Sequence, residues 1–175
     1  MIVFRHADPR LPFLWEGPSQ PAARWHDAGE GPAHYFSDTP DGAWAEFLRH
    51  EEIRDAEDLA TIRRAVWVVE VPDEPVGRPA LPDAQLCGGP ETHAECRREA
   101  RRLRAQGLVR LEAPAAALAA GGANGYQVQG GLRPGPPRQG VTIVLYGPRP
   151  MLIGWRAAYE GRPAADLLGR VRHVG

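Results

Sequence analysis

The sequence contains no lysine, so all 21 of its basic residues are arginine. This absence excludes a mechanism in which a lysine amine forms a Schiff base with a carbonyl substrate. Cysteine is also scarce, because Cys87 and Cys96 are the only two, too few for a disulfide framework. No apolar run approaches the roughly 18 residues that a membrane helix needs. We therefore expect a soluble protein that stays in a reducing cytoplasm.

The chain also lacks an excess of charge of either sign. Its 21 basic and 22 acidic residues leave a formal net charge of −1. No global field therefore favours nucleic acid, anionic lipid or another polyanion as a partner. Residues 1–8 are too short and too charged for a secretory signal. The 43% of apolar residues can fill one core, and the length predicts a single domain spanning residues 1–175.

Hydrophobic patterning predicts an α+β fold in which helices and strands follow one another in mixed order. Neither a regular βαβ rhythm nor a glycine-rich phosphate fingerprint is present, which disfavours Rossmann and P-loop folds. Proline and glycine predict loops over 72–90, and loop or loose pairing over 121–140. The patterns predict strands over 2–6, 33–37, 66–71, 108–111, 141–146 and, at a sheet edge, 151–159, and helices over 40–52, 56–64, 91–106, 114–120 and 164–171.

Side chains that suit a phosphate-bearing ligand with a planar ring cluster in the first third of the chain. Arg24 can place its guanidinium fork on phosphate oxygens, and an aromatic ring in the strand end 34–37 can stack on a ligand ring. The predicted helix places Glu46 on the flank of its apolar face, where a carboxylate can stabilise cationic character at a sugar carbon. This set fits cleavage of an N-glycosidic bond. The same spacing also has a purely structural explanation. Arg24 can stack on Trp25 at the surface, and Glu46 can pair with His50 one helical turn later.

The order of these residues resembles the RES-domain family of bacterial NAD-consuming proteins. Members open with an arginine on a first strand, then carry a Gly-Arg-Trp element, a Tyr-x-Ser strand end, and a helix whose glutamate lies about a turn before a histidine. The matching elements here are Phe4-Arg5, Arg24-Trp25, His34-Tyr35-Phe36-Ser37, Ala43-Trp44-Ala45-Glu46 and His50. The specific motifs lie within residues 2–50, the looser resemblance runs to about 148, and residues 148–175 remain as a C-terminal extension or cap.

The resemblance implies an ADP-ribosyltransferase-like α+β fold, with a small split mixed sheet flanked by helices. It implies NAD as the substrate, no metal, and chemistry at the bond between nicotinamide and ribose. Members of the family hydrolyse NAD, split it with phosphate or transfer ADP-ribose to a protein, and they are often toxins restrained by an antitoxin. The resemblance therefore leaves three activities possible: an NAD glycohydrolase, an NAD phosphorylase and an ADP-ribosyltransferase with a protein acceptor.

Carried over residue by residue, the resemblance implies three catalytic residues. Arg24 grips the pyrophosphate or the nicotinamide ribose, Tyr35 stacks on nicotinamide, and Glu46 stabilises the oxocarbenium-like transition state. Arg5 is a second candidate for a phosphate contact. Ser37 corresponds to the small hydroxyl residue after the tyrosine, where it is expected to position ribose.

The chain departs from the family pattern because the family's late serine is missing. Its two serines are Ser19 and Ser37. Gln127 and Gln129 fall in the region where the late serine is expected, and their amides can hydrogen-bond a ligand. Gln127, together with Trp25, completes the predicted NAD-binding set. The departure leaves a second function open, a catalytically silent RES-like module that binds a nucleotide or a protein partner.

Other interpretations compete for parts of the chain. A zinc site is one alternative, because Cys87, His93 and Cys96 lie within ten residues, but the sequence offers no evident fourth ligand. A nucleophilic Cys96 activated by His93 is another, but no oxyanion donor is evident for it. The arginine-rich helix 91–106 suits an acidic protein partner or phosphates, although a solvated helix face explains it more simply and no RNA-binding signature is present. The edge strand 151–159 leaves a homodimer open.

Overall fold

The computed structural model describes residues 1–17 and 19–174. Its strands are β1 (Ile2–Ala7), β2 (Ala33–Ser37), β3 (Arg64–Glu70), β4 (Val76–Gly77), β5 (Arg110–Pro114), β6 (Tyr126–Val128), β7 (Leu132–Pro134), β8 (Val141–Tyr146) and β9 (Ile153–Gly161). Its helices are α1 (Pro40–His50), α2 (Ala56–Leu59), α3 (Asp83–Cys87) and α4 (His93–Ala105), with short 3₁₀ helices at Pro90–Thr92 and Ala165–Arg170. None of the helices in this described part of the chain is long and apolar enough to cross a membrane.

Within the described residues, seven strands form one mixed sheet in the order β4-β5-β8-β2-β1-β3-β9. Neighbouring strands are antiparallel, except that β4 and β5 run parallel. Strands β6 and β7 form a separate antiparallel hairpin. The mixed sheet and its flanking helices confirm the predicted α+β fold class.

The sheet is split between its central strands, β1 and β2. These two strands share a single residue pair, Phe4 with Ser37, whereas β1 pairs with β3 along six positions and β2 with β8 along five. Beyond that pair the backbones diverge, and the guanidinium of Arg5 donates to the carbonyl oxygen of Tyr35 across the gap at 3.2 Å. The divergence leaves room for a cleft at the centre of the sheet.

The two faces of the sheet are covered by different parts of the chain. Side chains alternate along β8, so Val144 and Tyr146 pack with helices α3 and α4, and Ile143 and Leu145 point to the opposite face. Phe13, in the proline-rich segment after β1, covers that opposite face. Helix α1 packs in a third cluster with α2 and the C-terminal 3₁₀ helix. Helices α1 and α4 therefore belong to separate clusters, and a non-helical segment covers the face of Ile143 and Leu145.

Helix α1 begins at a strong N-terminal cap. The Oγ1 of Thr39 accepts a hydrogen bond from the N–H of Gly42 at 3.0 Å, and proline occupies the first helical position, where no donor is needed. Leu48 is fully buried on the inner face of the helix. The cap and the buried face together fix the helix that carries Glu46.

The alanine-rich segment 114–120 does not form the predicted helix. The N–H of Ala115 donates to the carbonyl oxygen of Gly140 at 2.9 Å, at the end of the β5–β8 pair. The N–H of Ala119 donates to the carbonyl oxygen of Arg170 at 2.8 Å, in the C-terminal 3₁₀ helix. These tertiary hydrogen bonds outweigh helix propensity, which spans at most about 0.7 kcal/mol per ordinary residue.

Other predicted elements are present with altered bounds or geometry. The helix predicted over 56–64 ends at Leu59, because the residues that follow turn and join β3. The segment 121–140 contains the exposed β6–β7 hairpin, and the helix predicted over 164–171 is a 3₁₀ helix. The edge strand predicted over 151–159 is β9, which pairs with β3. The C-terminal part of the chain thus contributes to the sheet itself.

The arginine-rich helix α4 forms ion pairs with acidic residues of its own chain. Its bridges include Arg98–Glu95, Arg102–Glu99, Arg101–Glu30 and Arg104–Glu30. Because these guanidiniums already have carboxylate partners, the pairs favour a solvated helix face over a surface for an acidic partner.

Replacement of Thr39 by alanine should lower the free energy of unfolding by about 1 kcal/mol, because the Gly42 N–H loses its acceptor. Asp55 is the matched control, since it caps α2 without a side-chain hydrogen bond. Asp55→Ala should lower the free energy by less than half as much. Urea denaturation followed by circular dichroism measures both changes, and equal losses would show that the Thr39 hydrogen bond contributes nothing specific.

Candidate functional site

A cleft of about 470 Å³ opens at the split of the sheet, between α1 and the start of α4. This volume lies in the usual range of small-molecule sites. The predicted residues that line it are Arg5, Arg24, Trp25, Tyr35, Ser37 and Glu46. The fold thus brings together side chains from β1, the loop before β2, β2 and α1.

Tyr35 offers its ring to the cleft while its hydroxyl is engaged inside the protein. The hydroxyl accepts a hydrogen bond from the N–H of Trp25 at 3.0 Å and lies 3.0 Å from Nδ1 of His26. Burial raises the pKa of Tyr35 well above its usual range, so the hydroxyl stays protonated. The hydroxyl therefore anchors the ring, and the aromatic face is the part of Tyr35 that a ligand can contact.

Glu46 extends from α1 toward β8, where the hydroxyl of Thr142 donates to its Oε1 at 3.5 Å. Burial raises the pKa of Glu46, and the positive charges of Arg49 and Arg24 act in the opposite direction without cancelling the effect of burial. Within residues 1–17 and 19–174, no arginine or histidine nitrogen lies within 4.0 Å of this carboxylate. A cationic ligand would favour the ionised carboxylate, because it adds the nearby positive charge that the protein does not supply.

Arg24 lines the wall of the cleft that faces α3. Its Nη2 donates to the carbonyl oxygen of Gly88 at 2.6 Å, and its Nη1 donates to the carbonyl oxygen of Gln85 at 3.2 Å. The Nη1 also donates to the hydroxyl of Thr92 at 3.0 Å. These acceptors orient the guanidinium without neutralising its positive charge, so the charge remains available to an anionic ligand.

Arg5 and Ser37 lie at the split itself. Burial lowers the pKa of Arg5 to about 10, which still leaves the guanidinium charged at neutral pH. Ser37 is paired with Thr142 of β8, and both residues line the cleft. Because directly opposed residues project from the same face of a sheet, the two hydroxyls stand side by side beneath Glu46.

Trp25 and Gln127, the remaining predicted residues, lie in different surroundings. Trp25 is 1% exposed and packs in the core with α4, so it supports the cleft wall more than it offers surface to a ligand. Gln127 lies on the exposed strand β6 and does not line the cleft. Its place in an NAD-binding set remains a prediction, and the fold does not bring it together with the other candidates.

Among the polar residues that line the cleft, Arg49 and Thr142 were not predicted, and His93 was considered only as a zinc ligand or as the partner of Cys96. Arg49 follows Glu46 by one helical turn, so the periodicity that pointed to Glu46 carried a signal for Arg49 as well. Burial and the charge of Arg24 lower the pKa of His93 to about 4, which makes it neutral at pH 7. Thr142 lies within a strand, where no local pattern distinguishes it.

The two cysteines are free thiols in the wall beside the cleft. Cys96 is buried in α4, and its Sγ donates to the carbonyl oxygen of Gln85 at 3.5 Å, which ties α4 to α3. Across residues 1–17 and 19–174, no three histidine, cysteine, aspartate or glutamate side chains are grouped so that they could hold a metal ion.

The cleft therefore combines a cationic wall, an aromatic face and a partly buried carboxylate. The wall can bind anionic oxygens, and the ring of Tyr35 can stack on a planar group. Glu46 can stabilise positive charge that develops near that group, and its burial strengthens such an interaction. Hydroxyls of Ser37 and Thr142 are available to position a sugar between these parts.

Comparisons with known proteins identify a family and a shared fold. A family model described as the RES domain matches residues 2–125, a range that contains Arg5, Arg24, Tyr35 and Glu46. Among curated proteins, none matches the chain. A chain in the crystal structure of the M. tuberculosis MbcT–MbcA toxin–antitoxin complex is similar, with a TM-score of 0.59 and 15% sequence identity over 96% of this chain and 86% of that chain. At that identity the similarity shows a shared fold.

Replacement of Glu46 by glutamine should raise the free energy of unfolding at pH 7, because burial makes ionisation of the Glu46 carboxyl less favourable in the folded state than in the unfolded chain. The pKa of Glu46 is raised in the folded protein, so between the unfolded pKa, about 4.3, and the folded pKa the native state binds more protons than the unfolded state. Wild-type stability therefore falls as pH rises through that window. The advantage of the variant should disappear below about pH 4, where both states are protonated.

Glu91→Gln is the matched control with the opposite sign. Backbone N–H groups of Glu91 and Gly89 hold the pKa of the Glu91 carboxyl below its usual range, so loss of this charge should lower stability at pH 7. Urea denaturation of both variants and the wild type from pH 4 to pH 8 measures the difference. A Glu46→Gln protein that is less stable than the wild type at pH 7, and not at pH 4, would contradict the burial argument.

Proposed function

This chain belongs to the RES-domain family, and on that premise we propose that it cleaves the bond between nicotinamide and ribose in NAD. The observation that carries the proposal is the convergence of Arg24, Tyr35 and Glu46 on one cleft from three separate segments. The family match supports an NAD-acting enzyme. The cleft offers an arginine for the diphosphate, an aromatic ring for the nicotinamide and a carboxylate for the ribose.

In the proposed complex, the anionic and planar parts of NAD occupy different walls of the cleft. The Arg24 guanidinium binds the diphosphate, and the anchored ring of Tyr35 stacks on the nicotinamide. The nicotinamide ribose then lies between Tyr35 and Glu46, beside the hydroxyls of Ser37 and Thr142. Arg5, at the split, is a second donor for a phosphate oxygen.

The proposed reaction breaks the bond between ribose C1′ and the nicotinamide nitrogen. Nicotinamide leaves as a neutral base with the bonding electron pair, and C1′ becomes an oxocarbenium-like cation. The ionised Glu46 carboxylate stabilises this cation from the wall of the cleft, where the side chain is partly buried. An acceptor oxygen or nitrogen then bonds to C1′ and loses a proton. Water as the acceptor gives ADP-ribose, phosphate gives ADP-ribose 1″-phosphate, and a protein side chain gives an ADP-ribosylated protein.

We also propose that a protein partner restrains this activity. The similar structure is a chain of a toxin–antitoxin complex, which supports an antitoxin as the partner. A protein that consumes NAD without restraint would deplete the cofactor of its own cell, so an inhibitor that covers the cleft fits the chemistry. Co-purification with the product of a neighbouring gene, with loss of nicotinamide release in the complex, is the result that this proposal requires.

Glu46→Gln should lower the rate of nicotinamide release by roughly 100- to 1000-fold, because it removes the charge that stabilises the oxocarbenium-like state. Binding of NAD should change much less. Chromatography of NAD incubations, with and without phosphate, measures the rate and identifies the acceptor. Glu51→Gln is the matched control, since Glu51 is exposed at the end of α1 outside the cleft. It should leave the rate within about twofold of the wild-type rate.

Two outcomes of this experiment separate the competing functions. Equal nicotinamide release by Glu46→Gln and the wild type would remove Glu46 from the mechanism. Saturable NAD binding by the wild type, with no product after hours, would instead favour the catalytically silent nucleotide-binding module, which the missing late serine leaves open.

Tyr35→Phe should keep nicotinamide release within about threefold of wild type, because the ring that stacks is retained. It should lower the free energy of unfolding by about 1 kcal/mol, since the Trp25 N–H loses its acceptor. Tyr35→Ala should weaken NAD binding by roughly tenfold or more, as the stacking face disappears. Steady-state kinetics and urea denaturation measure these effects. A Tyr35→Phe protein that folds normally but is inactive would show that the hydroxyl takes part in the chemistry.

A further inference from the structure

Arg49 stands beside Arg24 in the wall of the cleft. The Nη2 atoms of both residues donate to the carbonyl oxygen of Gly88, each at 2.6 Å. The Nη1 of Arg49 also donates to the carbonyl oxygen of Ala116. Two guanidinium groups therefore meet on a neutral acceptor, where their like charges repel each other.

Neither of these two cations has a carboxylate partner among residues 1–17 and 19–174. In the described ranges, no carboxylate oxygen lies within 4.0 Å of Arg24 or Arg49, whereas Arg101 on the nearby α4 pairs with Asp27 at 3.0 Å. Glu46 attracts both cations from a greater distance. Burial and the charge of Arg24 lower the pKa of Arg49, which is the expected effect of two adjacent, uncompensated cations. An anion between them would relieve this repulsion.

Helix α4 contributes to the same wall. Its first residue, His93, lines the cleft, and the preceding Thr92 holds the Arg24 guanidinium through its hydroxyl. The N-terminus of a 13-residue helix carries a partial positive charge, which adds to that of the arginines. Because guanidinium has five N–H donors and the protein contacts use the Nη1 and Nη2 atoms, each arginine keeps its Nε–H for a ligand. The wall suits a ligand with two adjacent anionic groups.

We propose that Arg49 and Arg24 together bind the diphosphate of NAD. The inference rests on the proposed function, because it takes the ligand to be the dinucleotide, and it adds Arg49 to Arg24 at the diphosphate. Arg49 and Glu46 are three residues apart on α1, so the helix keeps the anion site and the carboxylate at a constant separation. Binding of the diphosphate thereby places the ribose at Glu46.

The test measures binding of ADP-ribose, inorganic pyrophosphate and nicotinamide by titration calorimetry to the wild type, Arg49→Gln and Arg172→Gln. Arg172 is the matched control, because it donates to the same Ala116 carbonyl oxygen at 3.3 Å but does not line the cleft. Arg49→Gln should weaken binding of ADP-ribose and pyrophosphate by roughly 10- to 100-fold, the usual effect of a lost charge-assisted contact. Nicotinamide binding should stay within about twofold, and Arg172→Gln should weaken all three ligands by less than about threefold.

The outcomes distinguish failure of the diphosphate site from failure of the proposed NAD-cleaving function. Unchanged ADP-ribose binding in Arg49→Gln, or an equal loss in Arg172→Gln, would overturn the diphosphate site. Wild-type binding of pyrophosphate through Arg49, without binding of nicotinamide or ADP-ribose, would keep the anion site and overturn its assignment to NAD. If Arg49→Gln does not fold, Arg49→Lys replaces it and should weaken ADP-ribose binding by about tenfold, because lysine lacks the planar fork. Unchanged binding there would again overturn the inference.

Discussion

The cleft depends on the single residue pair that joins β1 to β2. Full pairing of these strands would close the centre of the sheet, and the side chain of Arg5 would have no gap to cross. The split instead leaves backbone groups without strand partners, and the Arg5 hydrogen bond to the carbonyl oxygen of Tyr35 satisfies one of them. The interruption in the sheet therefore creates the site and also positions two of the residues that line it.

Charge within the cleft is distributed between elements rather than neutralised in ion pairs. The carboxylate of Glu46 is partly buried with a raised pKa, and Arg24 and Arg49 are held on backbone carbonyl oxygens. Elsewhere in the same fold, the arginines of α4 pair with glutamates in the ordinary way. The contrast is typical of a functional site, where unfavourable local electrostatics are retained because a ligand relieves them.

Local patterns predict the elements that carry the site and fail where tertiary hydrogen bonds replace them. Strands Ala33–Ser37 and Val141–Tyr146 have the predicted bounds, because their β-branched and aromatic residues lie between clear turn or cap signals. Helix α1 starts at its predicted cap for the same kind of local reason. In contrast, the segment 114–120 reads as a helix, although its N–H groups bond to residues 140 and 170. Short-range propensity contains no information about such distant acceptors.

By itself, the sequence predicted the α+β class from its hydrophobic patterns and contained the order of Arg24, Tyr35 and Glu46, through which it resembles its family. Only the tertiary structure decided which polar groups share the cleft. It brought in Thr142 and left out Gln127. The physical reason is that spacing within a helix or strand determines neighbours on one element, whereas contacts between elements depend on strand register, sheet order and the packing of helices on the sheet.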